Sequence, residues 1–300
     1  MDGAQSPGRP QHYPVLLKES LEYLAVQPDG IYIDMTAGLG GHTRAIAEQL
    51  RSGLVIACDR DAQSLDWARE NTAAFGGRIR YFHGPFSELP KALLTNGIEA
   101  VDGMLADLGV SRYQLSAAER GFSLTEDGPL DMRMDRTQDL TAADLVNDMP
   151  EKGLADLIYQ LGEERRSRRI SRAIVRARPI LTTGRLAEVV ESVAPRTGRI
   201  HPATQTFMAL RLKVNGELEQ LETLLRLAPE RIKAGGRFVV LTFMSIEDRM
   251  VKRAFQARAR SGKWKILTKH VVRPSAEEIL ENAASRSAKL RAAERIREED

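Results

Sequence analysis

The sequence lacks most features that would point to a secreted, metal-clustered or membrane-bound protein. Its 300 residues include one cysteine, Cys58, which excludes an internal disulfide framework and a Cys/His metal cluster. No apolar run approaches the roughly 20 residues needed to cross a bilayer, and the first residues lack the apolar core of a signal peptide. We therefore expect a cytoplasmic protein with no membrane contact and no bound metal, in which residues 1–13 form a flexible lead-in.

A strong excess of one charge is also absent. Lys and Arg number 44 against 41 Asp and Glu, so the net charge of +3 argues only weakly for a nucleic-acid partner. Hydrophobic residues make up 42% of the chain, which is ample for a packed core. The length suggests one large domain or two modest ones.

A glycine-rich turn follows the first apolar segment. Residues 34–42 read Asp-Met-Thr-Ala-Gly-Leu-Gly-Gly-His and precede a helical pattern over 43–50. Strand, glycine turn and helix in this order open a nucleotide-binding α/β domain. Asp34 would repel a pyrophosphate, and Thr43 stands where a dinucleotide fingerprint has its third glycine, which disfavours NAD and FAD. The ammonium of S-adenosylmethionine suits Asp34 well, while a simple tight turn is the structural alternative.

Acidic or aromatic residues follow the next predicted strands, which are residues 53–58, 78–83 and 101–106. Asp59 follows the first of these, where an acid binds the ribose hydroxyls of an adenosine. A helix N-cap is another role open to Asp59 or Asp61. Phe86 either stacks on adenine or fills core, and Asp107 ends the fourth strand. Because the ends of parallel strands meet at one edge, we expect these side chains to face one cofactor.

The stretch between the fourth and fifth strands is far longer than the one helix that a doubly wound sheet needs. Residues 111–134 look like a loop, and helical patterns follow at 141–146, 151–161, 163–177 and 183–193. We expect an α/β, Rossmann-like doubly wound core at 14–110 and 200–300, with an inserted helical domain at 111–199. The later patterns predict helices over 204–227 and 246–260, and strands over 235–242, 264–272 and 285–294.

Seven arginines lie between Arg165 and Arg178, in the third helical pattern of the insertion. A charge-rich helix is usually only a solvated face. Arginine rather than lysine favours phosphate contact, because the planar guanidinium binds phosphate oxygens in pairs. We predict that RNA contacts the arginines related by three- and four-residue steps, namely Arg165, Arg168, Arg169, Arg172 and Arg176.

Motifs spread over nearly the whole chain resemble those of one family. They include residues 12–19 (His-Tyr-Pro-Val-Leu-Leu-Lys-Glu), 34–42, 107–111, 127–134, 162–165, 201–204, 245–249 and 287–291. The chain is similar to the ribosomal RNA small-subunit methyltransferase H, or MraW, family. That resemblance implies a class I S-adenosylmethionine-dependent methyltransferase with a helical insertion. It also implies that the enzyme methylates the exocyclic N4 of a cytidine in the decoding centre of 16S rRNA. We expect this rRNA to be part of the small ribosomal subunit, and naked rRNA stays open as the alternative.

The resemblance also implies a set of cofactor contacts. They are Gly40, Gly41, His42, Asp59, Phe86, Asp107 and Gln114. The charge argument adds Asp34 to this set. Four positions depart from the family pattern: Met244 stands where a histidine is usual, Arg112 and Tyr113 replace Ser-Pro, and Ala284 replaces an arginine. A histidine at position 244 therefore cannot be the obligatory base of this enzyme.

Methylation of an exocyclic amine needs a hydrogen-bond acceptor, because the lone pair of the amine is shared with the ring. Asp107 is the first candidate, and Ser111 and Asn215 follow. Each has a structural alternative: Asp107 binding only cofactor, Ser111 capping a turn, Asn215 anchoring a helix. The target base must leave its stack, and we predict a pocket from loop 121–134 in which Asp131 and Arg133 contact the base or its phosphate.

Two other classes of protein stay open at this point. One is a Rossmann oxidoreductase, which Asp34 and the missing third glycine disfavour. The other is a catalytically silent RNA-binding or ribosome-assembly protein that retains the fold, which the intact loop with Asp59 disfavours. A homodimer is also left open.

Overall fold

The computed structural model describes residues 14–196, 198 and 201–297, so the lead-in predicted for 1–13 lies outside the described residues. The chain divides into two compact units. The first comprises the residues up to Gly109 together with those from Glu219 onward, and the second is Val110–Leu218.

The first unit is built on a parallel sheet with an antiparallel edge. Within the described residues the sheet has seven strands: β1 (Ile31–Asp34), β2 (Leu54–Asp59), β3 (Ile79–His83), β4 (Val101–Asp107), β5 (Ile232–Thr242), β6 (Trp264–Ile266) and β7 (Lys289–Arg295). Their order is β3-β2-β1-β4-β5-β7-β6. Strands β1 to β5 are parallel, and β7 runs antiparallel to both β5 and β6. The predicted α/β doubly wound fold is confirmed.

Alternate residues of each strand enter two separate cores, one on each face of the sheet. Ile33 and Phe238 belong to one core, and their neighbours Tyr32 and Val239 belong to the other. Helices α1 (Leu17–Leu24), α2 (Gly41–Gln49) and α3 (Ala62–Asn71) pack into the second core. Helices α4 (Leu89–Thr95), α11 (Glu217–Leu227) and α12 (Ser245–Arg260) pack into the first. Helix α13 (Ala276–Glu281) completes this unit's described helices.

The second unit is helical and has a core of its own. Its described helices are α5 (Arg112–Ser116), α6 (Ala142–Asp148), α7 (Glu151–Gly162), α8 (Ser167–Ala177), α9 (Thr183–Val193) and α10 (Thr204–Asn215). Leu130 from the loop, Ile158, Ile174, Val190 and Leu210 meet in one buried cluster. The unit therefore buries apolar surface without help from the sheet.

The prediction of one long helix over 204–227 is wrong, because this segment forms two helices, α10 and α11. Gly216 between them has a φ of +54°, in the left-handed region that glycine adopts without steric cost. An isolated glycine is tolerated inside a helical pattern, so the pattern alone does not reveal the break. Phe207 and Leu210 of α10 belong to the core of the second unit. That unit therefore ends at Leu218, not at the expected residue 199.

Other element boundaries also differ from the sequence patterns. Strand β6 covers only Trp264–Ile266, and β7 follows a 3₁₀ turn at Ala283–Ser287. Helix α8 begins at Ser167, because Glu163 has a φ of +54° and ends the preceding helix. The patterns do not predict α1, α4 or α13, which are short.

Candidate active site

Three acids lie side by side at the C-terminal ends of adjacent strands, here called the carboxyl edge. Asp34 ends β1, Asp59 ends β2 and Asp107 ends β4. Strand β1 lies between the other two, with Asp34 opposite Ala57 on one side and Leu105 on the other. The expectation that these strand ends share one edge is confirmed.

Asp34 is fully buried and organises the glycine-rich loop. Its Oδ1 accepts hydrogen bonds from the backbone N–H of Thr36 at 3.1 Å and from the Thr36 hydroxyl at 3.4 Å. Its Oδ2 accepts from the Thr43 hydroxyl at 2.7 Å. Burial raises the pKa of Asp34 to about 6, although these donors favour the carboxylate. Both oxygens serve the loop, and direct contact between Asp34 and a cofactor stays a prediction.

Asp59 ties the glycine loop to the end of β2. Its Oδ2 accepts from the backbone N–H of Gly38 at 2.7 Å, and its Oδ1 from that of Asp61 at 2.8 Å. Each carboxylate oxygen has two acceptor sites, so capacity for further donors remains. Burial raises the pKa of Asp59 to about 6. Asp61 caps α3 through the N–H groups of residues 63 and 64, which confirms the N-cap prediction for that residue.

The loop itself depends on glycine at two positions. Gly38 and Gly40 have φ values of +51° and +88°, and α2 begins at Gly41. A Cβ added to Gly41 would lie 2.9 Å from Cγ of Pro14, so Gly41 leaves no room for a side chain. Among the described residues, a Cβ at Gly38 would meet the Thr36 carbonyl oxygen alone, at 3.9 Å. The backbone beside Gly38 is therefore open to a ligand.

Asp107 differs from the other two acids, because one of its oxygens has no partner. Its backbone N–H donates to the Thr36 hydroxyl at 2.6 Å, and its Oδ2 lies 3.8 Å from Nδ1 of His42. Its Oδ1 is buried and has no hydrogen-bond partner among the described residues. Burial, with Asp34 and Glu247 nearby, raises the pKa of Asp107 to about 8. An unpartnered buried acceptor suits a hydrogen-bond donor on a ligand.

Phe86 follows β3, at the strand end next to Asp59. Asp59 and His83 are paired between β2 and β3, and Phe86 opens a 3₁₀ turn three residues further along. The Phe86 ring is partly buried and packs against the core of the sheet. Core packing is thus one of its roles, and stacking on adenine stays a prediction.

Ser111 and Gln114 form a reciprocal cap in the second unit. The Ser111 hydroxyl accepts from the Gln114 N–H at 3.2 Å, and the Gln114 side-chain oxygen accepts from the Ser111 N–H at 2.9 Å. This capping box begins α5. The structural alternative for Ser111 is therefore observed, and its catalytic role and cofactor contact by Gln114 stay predictions.

Asn215 anchors the loop that precedes α6. Its side-chain oxygen accepts from the N–H of Met134 at 2.7 Å, and its amide donates to the carbonyl of Met132 at 2.7 Å. Met132 has a φ of +61°. The buried guanidinium of Arg120 donates to the carbonyls of Arg133 and Met134, at 3.0 and 2.9 Å. This arrangement supports the structural alternative for Asn215.

Asp131 and Arg133 are paired with each other. The guanidinium donates to both carboxylate oxygens, through Nε and Nη2, at 2.8 Å each. Arg133 also donates to the carbonyl of Gln138 at 2.6 Å. The two side chains are mostly buried, so a contact with RNA would have to compete with this bidentate pair.

The five arginines predicted to contact RNA from the third helical pattern are all exposed. Arg168, Arg169, Arg172 and Arg176 lie within one face of α8, opposite the buried Ile170 and Ile174. Arg165 lies in a turn before the helix, so the prediction that it shares a helical face with the other four arginines is wrong. Arg172 is 3.5 Å from the carboxylate of Glu151 on α7. Four of the five arginines therefore form one surface, called here the α8 arginine face.

The sequence patterns missed the residues that connect the site. Thr36 joins Asp34 to Asp107, and Thr43 holds the other oxygen of Asp34. Arg120 supports the Met132–Met134 segment from a buried position. A hydroxyl two residues after a strand-end acid is a usable signal for Thr36. Nothing in the spacing indicates that Arg120 is buried.

The residues at the carboxyl edge fit an S-adenosyl cofactor. The open backbone at Gly38, the spare acceptor capacity of Asp59 and the unpartnered Oδ1 of Asp107 each accommodate part of it. Three acids with raised pKa values also favour a cationic ligand, which stabilises their charged forms.

A seven-stranded sheet whose seventh strand runs antiparallel between the fifth and the sixth has the topology of a class I S-adenosylmethionine-dependent methyltransferase. None of the helices in the described part of the chain combines the length and apolar character that a bilayer span requires. The chain belongs to the MraW methylase family, whose model matches residues 9–296.

Curated relatives are similar over almost their whole length. Ribosomal RNA small subunit methyltransferase H of Solibacter usitatus (strain Ellin6076) is 59% identical over 283 residues, which are 94% of this chain and 99% of that protein. The protein of the same name from Acidobacterium capsulatum is 49% identical over 300 residues, with 96% and 99% covered. A solved rRNA methylase from Streptococcus thermophilus has a TM-score of 0.43 at 12% identity, covering 96% of this chain and all of that one, which is too low to support an argument.

Proposed function

We propose that this enzyme transfers a methyl group from S-adenosylmethionine to the exocyclic N4 of a cytidine in the decoding centre of 16S rRNA. The names of the curated relatives state that those proteins methylate small-subunit ribosomal RNA. The choice of base and amine rests on the family resemblance of the motifs. We infer that the substrate is rRNA within the small ribosomal subunit and that the enzyme acts in the cytoplasm. Whether it forms a homodimer can be tested by sedimentation.

The cofactor-binding roles follow from the chemistry of each group. Asp59 would accept the ribose hydroxyls, and the loop from Gly38 to His42 would offer backbone to the aminoacyl end. Phe86 would cover the adenine, and Gln114 is assigned to the cofactor by resemblance. When bound, S-adenosylmethionine supplies a methyl group already activated on a sulfonium, so the protein mainly has to align the reacting atoms.

The proposed chemistry depends on one observation, which concerns Oδ1 of Asp107. It is a buried acceptor at the carboxyl edge, and no residue that the structure describes donates to it. As a carboxylate it would accept a hydrogen bond from an N–H of the cytidine amine. That hydrogen bond would favour the tetrahedral form of the nitrogen, which attacks the methyl group. Ser111 and Asn215 are weaker candidates, because their side chains already form a cap and a loop anchor.

Incubation with tritiated S-adenosylmethionine and small subunits from a strain lacking the enzyme tests the proposal. The expected product is N4-methylcytidine in 16S rRNA, identified by nucleoside analysis. Asp107→Asn keeps the shape and removes the charge, so the single-turnover rate at saturating cofactor should fall. A folded wild-type protein that binds cofactor and subunit but transfers no methyl would instead favour the silent assembly protein.

A further inference from the structure

His42 and Asp107 form a buried pair at the start of α2 and the end of β4. His42 is 4% exposed, and its Nδ1 lies 3.8 Å from Oδ2 of Asp107. Its Nε2 is 3.2 Å from the carbonyl oxygen of Val15. A carbonyl only accepts hydrogen bonds, so Nε2 carries the hydrogen. In the neutral ring, Nδ1 is then the basic nitrogen, and it faces the carboxyl of Asp107.

Asp107 is the acid in its surroundings that is best suited to hold a proton. The charged groups acting on it are Asp34 from β1 and Glu247 from α12. Asp34 accepts from threonine hydroxyls and a backbone N–H, and Glu247 accepts from two backbone N–H groups. Donors stabilise a carboxylate, whereas Asp107 Oδ1 has no donor within the part of the chain that the structure describes. Burial and the two acids raise the pKa of Asp107 to about 8.

We propose that His42 and Asp107 share one proton, and that Oδ2 of Asp107 transfers it to Nδ1 of His42 when the positively charged cofactor is bound. The O–H bond at Oδ2 breaks and an N–H bond at Nδ1 forms. A neutral acid and a neutral imidazole become a carboxylate and an imidazolium, so the total charge of the pair is unchanged. The separation of 3.8 Å requires a closing movement of about 1 Å for a hydrogen bond.

The transfer is driven by the charge of the ligand. His42 is in the first turn of α2, where the helix dipole disfavours an imidazolium. A cation at the carboxyl edge stabilises the Asp107 carboxylate, and that carboxylate stabilises the imidazolium. His42 is thus a positioning residue that keeps Asp107 in its charged, accepting form. The role of charged Asp107 as an acceptor is the part of this inference that rests on the proposed methyl transfer.

Nitrogen-15 NMR of histidine-labelled protein tests the proton transfer without RNA. The chain has five histidines, and the His42 signals are those lost in His42→Gln. We expect Nδ1 of His42 to be unprotonated in the free enzyme near neutral pH and protonated in the S-adenosylmethionine complex. S-adenosylhomocysteine lacks the sulfonium charge and should protonate it less. An Nδ1 that stays unprotonated with S-adenosylmethionine bound overturns the proposal.

The pH profile of methyl transfer separates this role from simple packing. Gln at position 42 keeps a donor for the Val15 carbonyl but has no basic nitrogen. We expect the single-turnover rate of His42→Gln to fall by about tenfold per pH unit below the pKa of Asp107, which is about 8 in the free chain and is lowered by the bound cation, while the wild type stays nearly flat. His42→Asn should show the same dependence and serves if the Gln protein is unstable. A wild-type profile in either folded variant overturns the proposal, whereas absent methyl transfer in the wild type would refute the proposed function and leave the NMR result standing.

Discussion

Asp59 links the glycine loop to the expected ribose site through a single carboxylate. Asp59→Ala removes that acceptor and also leaves the N–H groups of Gly38 and Asp61 without their partner. We expect cofactor affinity to fall by roughly 1.5–3 kcal/mol, the range for hydrogen bonds to a charged group. Titration calorimetry measures the change. Asp59→Asn keeps one acceptor oxygen and should lose less, and unchanged affinity in a folded Asp59→Ala protein would refute the ribose assignment.

Asn215 allows a structural role to be separated from a catalytic one. Asn215→Ala leaves the N–H of Met134 and the carbonyl of Met132 buried without their partner. Each such group costs about 1–3 kcal/mol, so the free energy of unfolding in urea should fall clearly. Asn215→Asp keeps an acceptor for the N–H of Met134 and loses the donor to the carbonyl of Met132. Its free energy of unfolding should lie between those of the wild type and Asn215→Ala. An Asn215→Ala protein with wild-type stability but no methyl transfer would show that Asn215 acts in the chemistry instead.

At the level of elements, the α8 arginine face is the clearest candidate for RNA contact. Changing Arg168, Arg169, Arg172 and Arg176 to Gln should weaken RNA binding and flatten its salt dependence by roughly 0.7–0.9 log units per lost contact. Cofactor affinity should stay the same, because the cofactor residues at the carboxyl edge belong to the other unit. Binding measured across a salt series gives the slope.

The matched control uses exposed arginines of the first unit. Arg44 and Arg69 each form a local ion pair on their own helix, with Glu48 and Asp66. Changing both to Gln should leave the salt slope nearly unchanged. Equal slopes for the α8 variant and the wild type would mean that the arginines only solvate the helix. Arg165, which lies outside α8, is best changed separately.

The elements also differ in how far the sequence predicts them. Long apolar segments such as β2 and β4 are predicted nearly to the residue, because burial on both faces leaves a continuous apolar run. The short α13 and the three-residue β6 have too few residues to establish a period. Gly216 looks like a tolerated glycine within a helix, and only its left-handed φ ends α10.

For the whole molecule, the two compact units predict independent folding of the insertion. The fragment Val110–Leu218 contains its own buried core. We expect it to unfold cooperatively in urea when followed by circular dichroism. A fragment ending at residue 199, the boundary expected from sequence, lacks α10 with Phe207, Leu210 and Val214, and should not fold. If both fragments behave alike, α10 does not belong to the insertion's core.

The sequence by itself determined the class of the protein and the edge of the sheet at which its cofactor site is proposed. Strand patterns, the glycine turn and acids at strand ends are local features, and parallel strands must bring their ends to one edge. Tertiary structure decided which groups remain available there. It paired Asp131 with Arg133, used Ser111 and Asn215 in structural bonds, and gave Oδ1 of Asp107 no partner among the residues it describes. Hydrogen-bond partners distant in sequence, such as Thr36 and Asp107, are set by strand register, which no local pattern records.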